Sequence, residues 1–219
     1  MGIVDLPRGE SKRKPALTYS EQETFLAVVA KCGVQDDWDM WAWAFDTGMR
    51  HDGELDNFKI DDVDFGRKTI TFWRTKTNGW SVEMPLTGRC QDILKRQRSK
   101  AQLRDDRKVF PSTAGSRTSN WKKYIAMCNF AKHFTPYTTR HTYITRLAEA
   151  DVNPKVTMEL AGHSCIETTL TYYTKSSSKI LSNAILKLEQ SRDAETNDSI
   201  VNENEANSLI GHNSKRALK

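Results

Sequence analysis

Apolar residues along the first fifty positions recur at helical spacing. Ser20 and Glu23 have the spacing of a capping box, and Phe25, Leu26, Val28 and Val29 continue an apolar face as far as Gly33. A second helix is predicted from Asp36 or Asp37 through Trp38, Trp41, Trp43 and Phe45 to Thr47-Gly48, with its tryptophans as core. Gly53 to Phe58 reads as one helical turn with Leu55 and Phe58 inward. The pattern then switches to alternation over residues 69–86. Ile70 and Phe72 alternate with Thr71 and Trp73, Asn78-Gly79 is a strong hairpin-turn signal, and Val82, Met84 and Leu86 form the return strand. Helical spacing resumes from Arg89 to Lys108, with Ile93, Leu94 and Leu103 as its core face. Ser112 to Ser119 reads as a polar loop, and Trp121 to Phe130 as a further helix.

From Thr135 to Lys175 three short elements follow one another. A helix starts around Arg140-His141, an Asn153-Pro154 break ends the intervening turn, and a short helix closes at Ala161-Gly162-His163 ahead of Tyr172-Tyr173. Ser176 to Gln190 carries a last helical pattern on Ile180, Leu181, Ile185 and Leu188. The expected fold is mainly α with a small antiparallel β-sheet or hairpin. Residues 1–16 form a basic lead-in, 17–190 the domain, and 191–219 a polar, acidic tail that is mobile or partner-dependent.

Composition narrows the classes. The mean hydropathy of −0.66 and the lack of a long apolar run exclude a membrane-spanning helix. The N-terminus lacks the apolar stretch of a signal peptide, which points to the cytoplasm. Cys32, Cys90, Cys128 and Cys165 are scattered and read as reduced thiols. The net charge of +5 conceals an asymmetry: residues 189–210 carry −5, leaving +10 on the remainder. A body this basic suits a polyanion, nucleic acid first, although a solvated lysine-rich surface accounts for charge alone equally well. The basic run from Arg89 to Lys108 carries the same two readings.

The Thr135–Lys175 stretch also brings together a guanidinium, an imidazole and a phenol, which can grip a phosphate, donate to it and attack phosphorus. Arg50, at an element boundary, and Lys76, beside a hairpin tip, read in isolation as surface residues. Asp61-Asp62-Asp64 reads as a lead into a turn rather than a metal site, and no P-loop is present.

Together the segments TGMR (47–50), RTKTNG (74–79), TTRHT (138–142), LAGHS (160–164) and ETTLTYYTK (167–175) resemble, in their order, the catalytic domain of the tyrosine recombinases, the phage-integrase family. The resemblance implies the DNA breaking-rejoining fold and site-specific cutting and rejoining of double-stranded DNA through a 3′-phosphotyrosine, without ATP, metal or other cofactor. It implies that Arg50 and Arg140 grip the scissile phosphate, Lys76 acts as general acid, His163 donates to the phosphate, and Tyr172 is the nucleophile, with Tyr173 its neighbouring competitor. Tyr137 stands where the family usually has His, and can hydrogen-bond phosphate without serving as an imidazole acid or base. Gly53 stands where a Glu is common, leaving Asp52 or Glu54 to orient Arg50. The resemblance also implies a tetramer on paired sites and leaves room for accessory DNA-bending proteins. The family's usual N-terminal core-binding domain has no counterpart here, so weaker DNA binding than a full clamp gives is expected. The alternatives are a catalytically degenerate DNA-binding module of the same fold, a helix-turn-helix regulator built on Ala148 to Gly162, and a relaxing topoisomerase.

Overall fold

The computed structural model describes residues 15–173, together with Ile185, Leu186 and Gln190. The chain divides into two units, Met1–Tyr173 and Thr174–Lys219, and the elements named here belong to the first. In the second, Ile185, Leu186 and Gln190 are helical and exposed. The rest of the helix expected over 176–190 lies outside the described residues, as do the acidic tail and nearly all of the lead-in. Among the described residues, no helix is long and apolar enough to cross a membrane.

Helix α1 (Tyr19–Cys32) is capped two residues earlier than the Ser20–Glu23 spacing predicts. Thr18 and Glu21 form the capping box, because Leu17 is buried and its N–H donates to Thr142 Oγ1, which fixes where the chain enters the helix. Helix α2 (Gln35–Thr47) is the hub, packing against α1, α4 (Gly88–Gln102) and α6 (Thr138–Glu149). Trp41 and Trp43 are fully buried, as the helical spacing predicts. Trp41 meets Phe25 and Trp121 edge-on, and Trp43 stacks on Phe58 at 5.0 Å. Aromatic side chains of this size remove about 150–250 Å² each from water, so α2 anchors the core.

The sheet region is small and antiparallel. Strands β1 (Val63–Asp64), β2 (Thr69–Ile70) and β5 (Met84–Pro85) form one sheet in the order β1-β2-β5. Strands β3 (Trp73–Arg74) and β4 (Gly79–Trp80) form the hairpin across Asn78, whose φ is +49°. The expected return alternation fails at Val82, which is exposed. Ser81 takes the inward place instead, its hydroxyl accepting from the Phe72 N–H at 3.0 Å. The acidic triplet leads into β1 through a 3₁₀ turn (Ile60–Asp62), with Asp61 paired to Arg107 and Asp64 to Arg67.

Two further expectations need correction. Helix α4 stops at Gln102, and Leu103 is 87% exposed rather than part of its core face. The supposed loop 112–119 is mostly helix: α5 runs Ala114–Met127 from a Thr113 cap. Small polar residues hide its period, and a fully buried arginine supports it. Arg117 donates to the carbonyl oxygens of His51 (2.8 Å) and Ser112 and to the Asp56 carboxylate. Along the basic run, several side chains have ion-pair partners within the chain. Arg89, Arg96 and Lys100 bind Asp46, Asp39 and Asp36 of α2, while Lys95 and Lys108 pair with neighbouring aspartates.

After α6, α7 (Pro154–Ala161) starts from an Asn153 cap with Pro154 in its first turn and ends at Gly162. Helix α8 (Ile166–Leu170) packs against α7 and leads directly to Tyr172.

Gly48 ends α2 at φ +64°, and a Cβ there would collide with the Tyr143 ring. The left-handed conformation alone costs a non-glycine residue about 1–2 kcal/mol. Gly48→Ala is expected to destabilise the chain by about 2 kcal/mol or more, read as a lowered urea midpoint.

Candidate active site

The left-handed turn at Gly48 carries the chain out of α2, and Met49 buries its sulfur against Trp43 Nε1 at 3.3 Å. Arg50 is thereby fixed at the start of the turn that leads to α3 (Glu54–Asn57). Its backbone N–H donates to Glu54 Oε2 at 2.8 Å, and its guanidinium donates to Glu54 Oε1. Glu54 is fully buried and Asp52 is exposed, so Glu54 is the carboxylate that orients Arg50.

Two more guanidiniums face the same carboxylate. Arg74 Nη1 of β3 lies 3.6 Å from Oε1, and Arg140 Nη1 of α6 lies 3.9 Å from Oε2. Other donors of these two arginines go to the free carbonyls at helix ends. Arg140 binds Gly48 O at 3.0 Å and Ala161 O; Arg74 binds Ala161 O at 2.9 Å and Leu160 O at 2.7 Å. The C-terminal carbonyls of a helix carry partial negative charge and otherwise lack partners, so they suit buried cations. Gly162 admits this arrangement, since a Cβ there would collide with the Arg74 guanidinium.

The cluster nevertheless has three cations to one anion. Burial lowers the pKa of Arg140, and the neighbouring Arg50 lowers it further. Burial, opposed by Glu54, brings Arg74 down to about 10. Arg74 stays protonated at neutral pH. Arg50 Nε and Arg140 Nε are buried without a hydrogen-bond partner among the described residues. Unpaired buried donors in a region of excess positive charge are complementary to an anion with several acceptor oxygens.

Tyr137 caps the start of α6, and its ring meets His141, one turn on, edge-on at 5.0 Å. His141 Nδ1 lies 2.5 Å from the Tyr172 hydroxyl. The Tyr172 ring runs nearly parallel to both His141 and His163, with centroids at 6.0 and 6.4 Å. His163 Nδ1 is 2.8 Å from Thr169 Oγ1. Burial first, then Arg140, Arg50 and Arg74, pushes the His163 pKa down to about 4, so its ring is neutral at pH 7. Tyr173 points elsewhere, donating to Val152 O at 2.5 Å and contacting Thr157 Oγ1 at 2.6 Å.

The structure thus gathers Arg50, Tyr137, Arg140, His163 and Tyr172 into one region and leaves Lys76 exposed on the β3–β4 turn, with no ion pair to them among the described residues. Sequence reasoning alone passes over Arg74 and His141. Strand alternation places Arg74 on the inward side with Phe72, and an arginine at an inward strand position is the signal that could find it. For His141 the signal is its place one helical turn after Tyr137.

The family profile described as the phage integrase family matches residues 16–179. The chain belongs to the phage integrase family. A tyrosine recombinase of Pseudothermotoga lettingae is 28% identical over 142 residues, covering 63% of this chain and 49% of its own length. The chain spans about half the length of such curated relatives. Among solved structures, the integrase of transposon Tn1549 in complex with transposon right-end DNA matches with a TM-score of 0.66 at 22% identity, over 82% of this chain and 67% of that one. The catalytic domain of bacteriophage HP1 integrase matches with a TM-score of 0.60 at 19% identity, over 79% of this chain and 94% of that domain. The integrase-family chain therefore has the tyrosine recombinase catalytic-domain fold.

Two outcomes follow from this geometry. Glu54→Gln leaves the buried guanidiniums without their carboxylate, and is expected to cost about 3–5 kcal/mol in urea unfolding, as for other broken buried pairs. His163 takes up its proton near pH 6.5 when unfolded but only near pH 4 when folded. The unfolded chain binds more protons between those values, so stability falls as pH drops through that window and the loss levels off below it. Unfolding free energies of the wild type and His163→Gln, measured from pH 7 to 4, should show a shallower acid loss for the variant.

Proposed function

We propose that this chain cuts and rejoins double-stranded DNA at specific sites, with Tyr172 as the nucleophile. The observation that carries this reading is that the Tyr172 hydroxyl reaches His141 beside His163 and the arginine cluster, while the Tyr173 hydroxyl is bound to Val152 and Thr157. Arg140 lies close enough to Tyr172 for the phenol's charge to act on it.

In this reading the scissile phosphate takes the place of the missing anion. Arg50 and Arg140 bind its nonbridging oxygens, where charge accumulates in the trigonal-bipyramidal transition state. With the Thr169 hydroxyl donating to Nδ1, the proton of the neutral His163 ring sits on Nε2, available to a phosphate oxygen. Tyr137 supplies a phenolic donor. Lys76 protonates the departing 5′ oxygen once DNA draws the β3–β4 turn to the site, a movement that its exposed position requires. The 3′-phosphotyrosyl bond conserves the energy of the broken phosphodiester, so rejoining needs no ATP. Arginines supply the charge that a metal would otherwise bring.

Relatives described in complex with transposon DNA support DNA as the partner. The action would take place in the cytoplasm, on a tetramer of chains across paired sites.

Covalent trapping on nicked duplexes in EDTA, followed by peptide mapping, tests this. The wild type and Tyr173→Phe should form an adduct mapping to Tyr172, and Tyr172→Phe should bind DNA without forming one. An adduct at Tyr173, or turnover by Tyr172→Phe, would overturn the assignment. Arg50→Ala should lower the trapping rate on the order of 10²–10³-fold, by analogy with the loss of an oxyanion donor.

A further inference from the structure

A tyrosine nucleophile has a proton to lose, and the roles above leave it without a destination. Tyr137 occupies the helix-start position without an imidazole. The His163 Nδ1 is engaged by Thr169. The arginines have no lone pair to offer, and Glu54 already accepts from Arg50.

We propose that His141, through Nδ1, accepts the phenolic proton of Tyr172 as its oxygen attacks phosphorus. This rests on the reading of Tyr172 as the nucleophile. The supporting geometry is direct: Nδ1 lies 2.5 Å from the hydroxyl, in hydrogen-bond contact with it. The near-parallel rings hold the phenol alongside the imidazole rather than across it. The edge of Tyr137 braces the imidazole from one turn earlier on the same helix.

The step balances. The Tyr172 O–P bond forms as the P–O5′ bond breaks; the phenolic proton passes to His141, and the 5′ oxygen takes a proton from Lys76. Rejoining runs in reverse: the 5′ hydroxyl returns its proton to Lys76, and the departing phenolate recovers its own from His141. The total charge of the protein side chains is the same before and after cleavage. The short helical offset between 137 and 141 thus supplies an imidazole on the same face of α6 that Tyr137 occupies.

The test uses the full chain and nicked duplexes selected from a randomised pool by covalent retention on the wild type. Two variants are compared, His141→Ala and His141→Asn, the latter able to accept the phenol's hydrogen bond but not its proton. Circular dichroism and retention of the selected duplex establish that each variant is folded. Adduct formation should fall on the order of 10²–10⁴-fold in both, the range of a positioned general base, with imidazole in the buffer partly restoring the alanine variant. A second substrate carries sulfur in place of the bridging 5′ oxygen, so its leaving group needs no proton. It should restore Lys76→Ala and leave His141→Asn slow. Trapping by His141→Asn within a few-fold of wild type would show that the proton goes elsewhere. Rescue of His141→Asn by the sulfur substrate would make His141 a donor to the leaving group and overturn the proposal. No adduct at Tyr172 from the wild type would instead overturn the underlying reading of function.

Discussion

One buried carboxylate, Glu54, stands among the guanidiniums of Arg50, Arg74 and Arg140, and much of the site's architecture is a response to that imbalance. Desolvating three cations is unfavourable unless their donors are satisfied and part of their charge is offset. Glu54 offsets part of it. The carbonyl ends of α2 and α7 offset more, because these oxygens have no helical partner and carry the negative ends of their helices. The arginines therefore connect α2, β3 and the consecutive helices α6 and α7 at a single point.

The same arrangement sets the character of the chemistry. Charge left over after internal pairing is held in place before any ligand arrives, which is the preorganisation that lets fixed donors stabilise a transition state. The helix ends limit movement of Arg74 and Arg140, since shifting either one would strand carbonyls as well as a cation. His163 follows directly after the αL residue Gly162, against which the Arg74 guanidinium packs, so the imidazole and the arginine cluster are positioned together.

Much of the fold is legible in the chain itself. The tryptophan helix, the Asn78-Gly79 hairpin, and the Asn153-Pro154 and Gly162 boundaries of α7 each have a local cause, and local causes are what a sequence displays. The failures share a different origin. The first turns of α5 look like a loop because Ser116, Thr118 and Ser119 have weak helical preference, while the Arg117 contacts that hold the helix come from residues 51, 56 and 112. Ser81 displaces Val82 from the core by satisfying a backbone N–H that no pattern of hydrophobicity records. In the site, motif order identifies Arg50, Arg140, His163 and Tyr172 as candidates. The choice between Asp52 and Glu54 depends on tertiary burial and so becomes visible only in three dimensions.

The ion pairs along α4 change the meaning of the chain's basic composition. Six of the eight basic side chains between Arg89 and Lys108 already face a carboxylate of the same molecule: Arg89, Lys95, Arg96, Lys100, Arg107 and Lys108. The salt sensitivity of binding to a polyanion reflects the small ions released when unpaired cations replace them. Internally paired cations displace few such ions. On this stretch, any affinity for a polyanion should therefore respond to ionic strength more gently than its count of lysines and arginines implies.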